Sequence, residues 1–299
     1  MKLSKISLKD KEIFLRYLNL TSHELSVYAF ENIYIWSSLF DIQWAIIEDC
    51  LCIFFKDKIG CFLYLVPLGK NNPKVQGKTF EIMDRFNKNK DISRIENVEE
   101  NKIKFYRDLG FDCQTKSYDY LCLRSDLVSL RGEKFKSKRA CYNYFVKHYQ
   151  FEYQSFSLEQ TQDCLKLYRK WQGQREAYLQ DSLYQGMLKD NLMSLKVALT
   201  SYKDLNLKGK VVKVAGEIKA FSFGYKLNSE TFCILYEITD LSLKGLAQFI
   251  FREFSGELKD YKYINIMDDS GLENLKKVKL SYHPIKLIPA YIVKRSSYF

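Results

Sequence analysis

From residue 150 onward the chain reads as strand, two helices, three strands, helix, strand, helix and strand. Most of that order has already occurred once before residue 125. A repeated order of this kind limits the chain to two successive units of similar build, each closing its own core. The length permits it, since 299 residues divide into two domains of ordinary size.

The second copy is the clearer one. Residues 150–157 are short, aromatic and strand-like. Ser157 with Gln160 makes a capping box, and Cys164, Leu167, Tyr168 and Trp171 recur at helical spacing. Gly173 is expected to interrupt this helix, and a second helix is expected from about Tyr178 to residue 201. Strands are expected at 210–215, 218–227 and 231–239, separated by Gly216-Glu217 and Asn228-Ser229-Glu230 turns. In the last of these, Phe232, Ile234 and Tyr236 share one face, and Leu235 and Glu237 the other. A helix (244–258), a strand (261–266), a polar loop (268–271), a helix (272–280) and a strand (285–293) complete the copy.

In the first copy, Ser7 with Asp10 and Thr21 with Glu24 each read as a helix start. Strands are expected at 43–47, 51–55 and 61–66. They are followed by a helix near 80–87, a strand near 92–97, a helix at 99–109 and a strand around 118–124. The fold class expected is α+β, with mixed sheets in two tandem domains, 1–130 and 150–299. A basic helical linker, 131–149, joins them and carries Lys134, Lys136, Lys138, Arg139 and Lys147. Its aromatics Phe135, Tyr142, Tyr144 and Phe145 suit RNA bases. However, Tyr142, Phe145 and Tyr149 fall at helical spacing, so an inward helix face is preferred.

Charge narrows the partners. Lysine and arginine exceed aspartate and glutamate by 11, which favours an anionic partner: nucleic acid, phosphorylated cofactor or lipid head group. Solubility of a lysine-rich chain explains the same excess equally well. The longest uncharged stretch, residues 59–69, is about half of the 20 apolar residues a membrane helix needs. Charged residues at 2–12 stand where a secretory signal would be apolar. A cytoplasmic protein without a transmembrane segment is expected, with peripheral membrane contact left open. The cysteines are spread without a two-residue gap, and His23, His148 and His283 are far apart. Buried reduced thiols, no metal site and no tightly bound cofactor are expected.

The element order resembles the acyl-CoA N-acyltransferase (GNAT) fold. As a tandem it resembles the C-terminal domain of the phosphatidylglycerol lysyltransferase family. The residues that carry the likeness begin with Tyr28-Ala29-Phe30-Glu31-Asn32-Ile33-Tyr34-Ile35-Trp36. Val66-Pro67-Leu68-Gly69, Asp119-Tyr120-Leu121, Leu130-Arg131-Gly132-Glu133-Lys134 and Lys138-Arg139 follow. The strongest run is Asn265, Asp269, Gly271, Leu275, Lys277, Lys279, Ser281, Tyr282 and Pro284. Two departures stand out: Ile238 follows Glu237 where the family commonly has Lys, and Ile266 and Met267 follow Asn265 where it usually has Arg and Glu.

The resemblance implies acyl or aminoacyl transfer, from acyl-CoA or aminoacyl-tRNA, to an amine or hydroxyl acceptor. In the wider superfamily the loop after the fourth strand binds cofactor pyrophosphate at a helix N-terminus, where unpaired N–H groups gather. Ser242, Lys244, Gly245 and Ala247 occupy that place here. A helix cap packed on the sheet is the plainer role of the same residues. Glu237 is the expected base, since burial would raise its pKa towards neutrality. Tyr282 or Lys279 would serve as acid or substrate anchor. Asn265, Asp269 and Arg139 would bind substrate, although capping suits Asp269 as well. The alternative is a catalytically degenerate binder of an anionic ligand, tRNA or a lipid head group, which the apolar Ile266 and Met267 favour.

Overall fold

The structure, a computed structural model, describes residues 2–177 and 181–296. The start expected near Tyr178 for the second long helix lies outside the described residues. The chain runs through β1 (Ser4–Lys5), α1 (Lys11–Leu18), α2 (Phe30–Tyr34), β2 (Asp41–Ile47), β3 (Cys50–Lys56) and β4 (Cys61–Leu63). It continues with α3 (Pro73–Phe86), β5 (Arg94–Glu99), α4 (Glu100–Asp108) and β6 (Phe111–Leu123). Then come α5 (Arg124–Ser129), α6 (Lys136–His148), β7 (Phe151–Ser155), α7 (Thr161–Glu176), α8 (Ser182–Thr200) and β8 (Lys208–Val214). The last are β9 (Glu217–Lys226), β10 (Thr231–Thr239), α9 (Leu246–Glu257), β11 (Tyr263–Asn265), α10 (Glu273–Leu280) and β12 (Lys286–Arg295).

Two compact units divide these elements, and they do not follow the expected boundaries. The first comprises Met1–Asp119, Asp268–Gly271 and Leu287–Phe299; the second comprises Tyr120–Met267 and Leu272–Lys286. The end of the chain, expected in the second domain, therefore belongs to the first. There β12 pairs antiparallel with β5, Ala290 opposite Glu99 and Val293 opposite Ile95. Alternation along a strand shows that it has a buried face, but not which strand it pairs with.

In the first unit the strand order is β1-β2-β3-β4-β5-β12-β6. β1 to β4 form an antiparallel meander. β4 and β5 are parallel and share the single pair Leu63 and Ile95. Beyond that pair, side chains close the gap. Asn97 Nδ2 donates to the Tyr64 carbonyl at 3.0 Å, Tyr64 OH to Asn32 Oδ1 at 2.9 Å and Tyr28 OH to the Asn97 carbonyl at 2.9 Å. The helix expected to open at Thr21 is absent. Thr21 Oγ1 lies 3.3 Å from His23 Nε2, and Glu99 takes both His23 Nδ1 at 2.8 Å and the Glu24 N–H at 3.1 Å. These bonds, two of them to Glu99 far along the chain, hold the segment as a loop.

In the second unit the order is the end of β6, then β11-β10-β9-β8-β7. α7 passes through Gly173 without a break. A helix glycine costs only about 1 kcal/mol relative to alanine, and the packed apolar face outweighs it. The stretch expected as a linker packs one helix face into the second unit: Phe145 of α6 is fully buried with Val212, Ala220, Leu246, Phe249 and Ile250. Its ring lies 4.9 Å from Phe249 and 5.2 Å from Phe151. Tyr142 and Tyr149 pack on the same cluster, as their helical spacing implies. Replacing a fully buried Phe by Ala costs about 3–5 kcal/mol. Phe145→Ala is therefore expected to lower stability by that amount in urea denaturation; a loss below about 1 kcal/mol would make α6 a loose tether.

Candidate active site

The site forms where two parallel strands part. β10 and β11 pair only at Thr231 with Tyr263, Phe232 with Ile264 and Cys233 with Asn265. β11 stops there because Asn265 turns the chain. Its Oδ1 accepts the Met267 N–H at 2.7 Å, and Met267 takes a left-handed φ of 60°. β10 continues to Thr239, held on its other edge by β9. From Ile234 onward its edge on the β11 side has no β11 partner.

Within that stretch the register against β9 slips between Ile234 and Tyr236, so Leu235 forms a bulge. A bulge leaves one residue outside the ladder and re-aims those beside it. Tyr236 OH meets Ser194 Oγ of α8 at 2.7 Å. Glu237 points the other way, into the field of Lys138 on α6 and Lys279 on α10, and retains part of its exposure. Burial pushes its pKa up to about 8, and those two ammonium groups only partly offset the shift. Tyr282 sits beside it. It is 7% exposed, its ring lies edge-on to Phe251 at 4.5 Å, and Lys138 Nζ lies 4.0 Å from its ring centre. Burial, then the charge of Glu237, raise the phenol pKa well above its usual value. Glu237 and Tyr282 thus lie close together, each with Lys138 nearby.

The other expected site residues hold the frame. Lys279 Nζ donates to the carbonyls of Ile266 and Met267, the latter at 3.2 Å, and so fixes the turn that ends β11. Ile266 is 8% exposed, in the core with Tyr282 and Phe251. Asn265 is fully buried at the turn. Arg139 NH1 donates to the carbonyls of Leu130 and Gly132, the latter at 2.6 Å, closing a turn in which both residues take positive φ. Asp269 belongs to the first unit, where Oδ1 accepts the Gly271 N–H at 2.9 Å.

The loop expected to cradle phosphate is already engaged. A Cβ on Gly245 would lie 2.0 Å from the Cys141 carbonyl oxygen and 3.1 Å from Phe145 Cβ, so the glycine admits α6. Ser242 donates its N–H and hydroxyl to Asp240 Oδ1 at 3.1 and 2.7 Å. Asp240 is 1% exposed and pairs with Lys170 at 2.7 Å. Burial alone would raise the Asp240 carboxyl, but the Lys170 and Ser242 hydrogen bonds hold it well below the usual range. Lys244 Nζ lies 4.7 Å from the Tyr144 ring centre. Ala247 follows, partly buried, in the first turn of α9. The plainer role, a helix start packed on its neighbours, is the one these contacts fill.

Sequence reasoning named Lys138 in the basic linker without giving it a place beside Glu237, and it did not single out Asp240. The signal for Lys138 was present: it precedes Tyr142 by four residues and Phe145 by seven, on the inward stripe of α6. A lysine on such a stripe has a reason to be there. Gly245→Ala is expected to fail on two counts, a positive φ of 86° and the collision with Cys141. The expected loss is at least about 2–3 kcal/mol, read as a lowered melting temperature. An unchanged melting temperature would mean that α6 does not press on this loop.

Among the described residues no helix is long and apolar enough to cross a membrane, and no group of His, Cys, Asp and Glu is placed to hold a metal ion. A family model described as phosphatidylglycerol lysyltransferase, C-terminal, matches residues 19–294. A conserved protein of unknown function from Bacteroides thetaiotaomicron is 29% identical, with a TM-score of 0.88 over 99% of this chain and 100% of that one. L-PGS from Bacillus licheniformis is 17% identical, with a TM-score of 0.68 over 99% and 94%. A tandem GNAT protein from the clavulanic acid biosynthesis pathway is 9% identical, with a TM-score of 0.52 over 100% and 99%. No curated protein matches the chain. The fold is α+β with two GNAT-like units in tandem, an acyltransferase- and aminoacyltransferase-like architecture, and the chain belongs to the phosphatidylglycerol lysyltransferase C-terminal family.

Proposed function

We propose that this chain transfers an aminoacyl group from the ester of an aminoacyl-tRNA to an amine or hydroxyl acceptor, with Glu237 as the base. The observation that carries the choice of donor is the approach of α6 to Gly245. A CoA pyrophosphate needs free amides at that loop. Here the space above Gly245 holds the Cys141 carbonyl, and the Ser242 N–H serves Asp240. An aminoacyl ester needs no pyrophosphate seat, and the net charge of +11 suits a polynucleotide carrier.

The chemistry follows from the opened strand. Glu237 takes the proton as the acceptor's oxygen or nitrogen attacks the ester carbonyl. The bond to the ribose oxygen then breaks, and Tyr282, whose phenol stays protonated throughout the working range, gives that oxygen a proton. Glu237 returns its proton to the phenolate. Backbone N–H groups at the Leu235 bulge polarise the carbonyl, and positioning supplies much of the rest. One observation favours the binder instead: Ile266, where the family usually has Arg, is buried in the core.

Glu237→Gln is expected to cut turnover by about 10²–10⁴; full activity would discard the base role. Activity of the native protein is expected to rise with pH until Glu237 ionises, near pH 8. Stability moves the opposite way. The folded protein keeps a proton that the unfolded chain has lost, so this carboxyl stabilises the fold fully at low pH and progressively less as pH rises from about 4.5 to 8. Glu237→Gln should therefore match the native protein in melting temperature at pH 4 and exceed it at pH 8.5. In a thermal-shift assay, charged tRNA is expected to raise the melting temperature in a salt-sensitive way while CoA and acetyl-CoA leave it unchanged. The reverse pattern would restore CoA as donor.

A further inference from the structure

The opening beside β10 is poor in partners for a positive charge. Ile234, the first residue of β10 beyond its β11 pairs, lies in one buried cluster with Ile266, Phe251 and Tyr282. The wall on that side is therefore aliphatic and aromatic. The turn that ends β11 offers the carbonyls of Ile266 and Met267, and both accept from Lys279 Nζ, the latter at 3.2 Å. Asn265 Oδ1 is taken by the Met267 N–H at 2.7 Å. Among the described residues, the charges that bear on Glu237 are the Lys138 and Lys279 ammonium groups, and the carboxylate that bears on Tyr282 is Glu237. Both ammonium groups are engaged, Lys138 by the Tyr282 ring at 4.0 Å and the field of Glu237, Lys279 by the two carbonyls. Glu237 itself is mostly protonated at neutral pH, since burial pushes its pKa up to about 8.

A donor that lays its carbonyl at the Leu235 bulge brings its side chain against this wall. A lysyl or arginyl side chain, whose ordinary pKa is about 10.4 or higher, enters as a cation. It would lose water, meet two like charges and find the nearest acceptors already taken, and each of these is unfavourable. A glutamyl or aspartyl side chain loses water as well, and meets ammonium groups that already have partners. The α-amine differs, because its ordinary pKa of about 7.7–8.0 lets it enter neutral. An apolar side chain gains from the same wall by leaving water. We propose that the transferred aminoacyl group carries an uncharged, apolar side chain, and that a lysyl group is turned away. The inference rests on the aminoacyl-ester reading of the site and names the class of donor.

The test compares equilibrium binding, to the full chain, of non-hydrolysable 3′-aminoacylamino-adenosines that differ in side chain alone. Norleucyl and lysyl analogues share the same carbon stem and differ in one ammonium group, and a glutamyl analogue supplies the opposite charge. Saturable binding of the norleucyl analogue is expected, with the lysyl and glutamyl analogues at least about ten-fold weaker. Lys138→Gln removes one of the two like charges, so the lysyl analogue should come closer to the norleucyl one in that variant. Lys134→Gln, whose lysine is exposed and paired with Asp126 at 3.3 Å, should keep the native ratio. A ratio of two analogues on one protein cancels a general loss of fold, which is all that a merely structural lysine would cause. Equal or tighter binding of the lysyl analogue by the native protein would overturn the inference and leave the aminoacyl donor standing. So would equal or tighter binding of the glutamyl analogue. A native ratio in Lys138→Gln would remove the charge as its cause and overturn it too. Binding of none of the three would overturn the aminoacyl reading itself, and the inference with it.

Discussion

Three parallel residue pairs set the character of the second unit. Had β10 and β11 stayed together past Cys233 and Asn265, the ladder would have used every backbone group of β10, and Glu237 would have been one more side chain on a closed sheet. Asn265 prevents this by bonding the Met267 N–H, and Lys279 secures the turn from α10. The first unit begins from a similar parting, one pair between β4 and β5. There Tyr28, Asn32, Tyr64 and Asn97 bond across the opening. The same architecture is thus sealed by its own side chains in one unit and left with an unpaired strand edge in the other.

Helix α6 is the second constraint. It sets Phe145 into the core and lays the Cys141 backbone against Gly245, so close that no side chain fits there. One consequence is that the loop at Gly245 serves packing. The other is that Lys138, one turn earlier, reaches the neighbourhood of Glu237 and Tyr282. The two charges act on each other: the ammonium restrains the rise of the Glu237 pKa, and the carboxylate helps Lys138 keep its proton. A group that bound to either would change the other.

Much of this was readable from residues. Hydrophobic alternation placed β8, β9 and β10 to within two residues, and the capping box at Ser157 marked the approach to α7. Glu237 was legible because it stands on an apolar strand opposite Tyr236. What failed was long-range or competitive. The exchange of β12 into the first unit depends on strand pairing, which no local pattern records. The loop at Thr21 depends on Glu99, far away in sequence. For Ser242 and Gly245 the residues left a phosphate cradle and a packed helix start both open, because glycine and serine serve the two alike. Only the Cys141 carbonyl and the Asp240 carboxylate distinguish the two.

The account stands on the opening beside β10 accepting an acyl donor that has no pyrophosphate. A crystal structure of the protein soaked with a non-hydrolysable 3′-aminoacylamino-adenosine, and separately with CoA, examines this directly. The account predicts aminoacyl density along Ile234 to Glu237, with its carbonyl at the Leu235 bulge and no ordered CoA. CoA density with its pyrophosphate against Ser242 and Gly245, displacing α6, would contradict it.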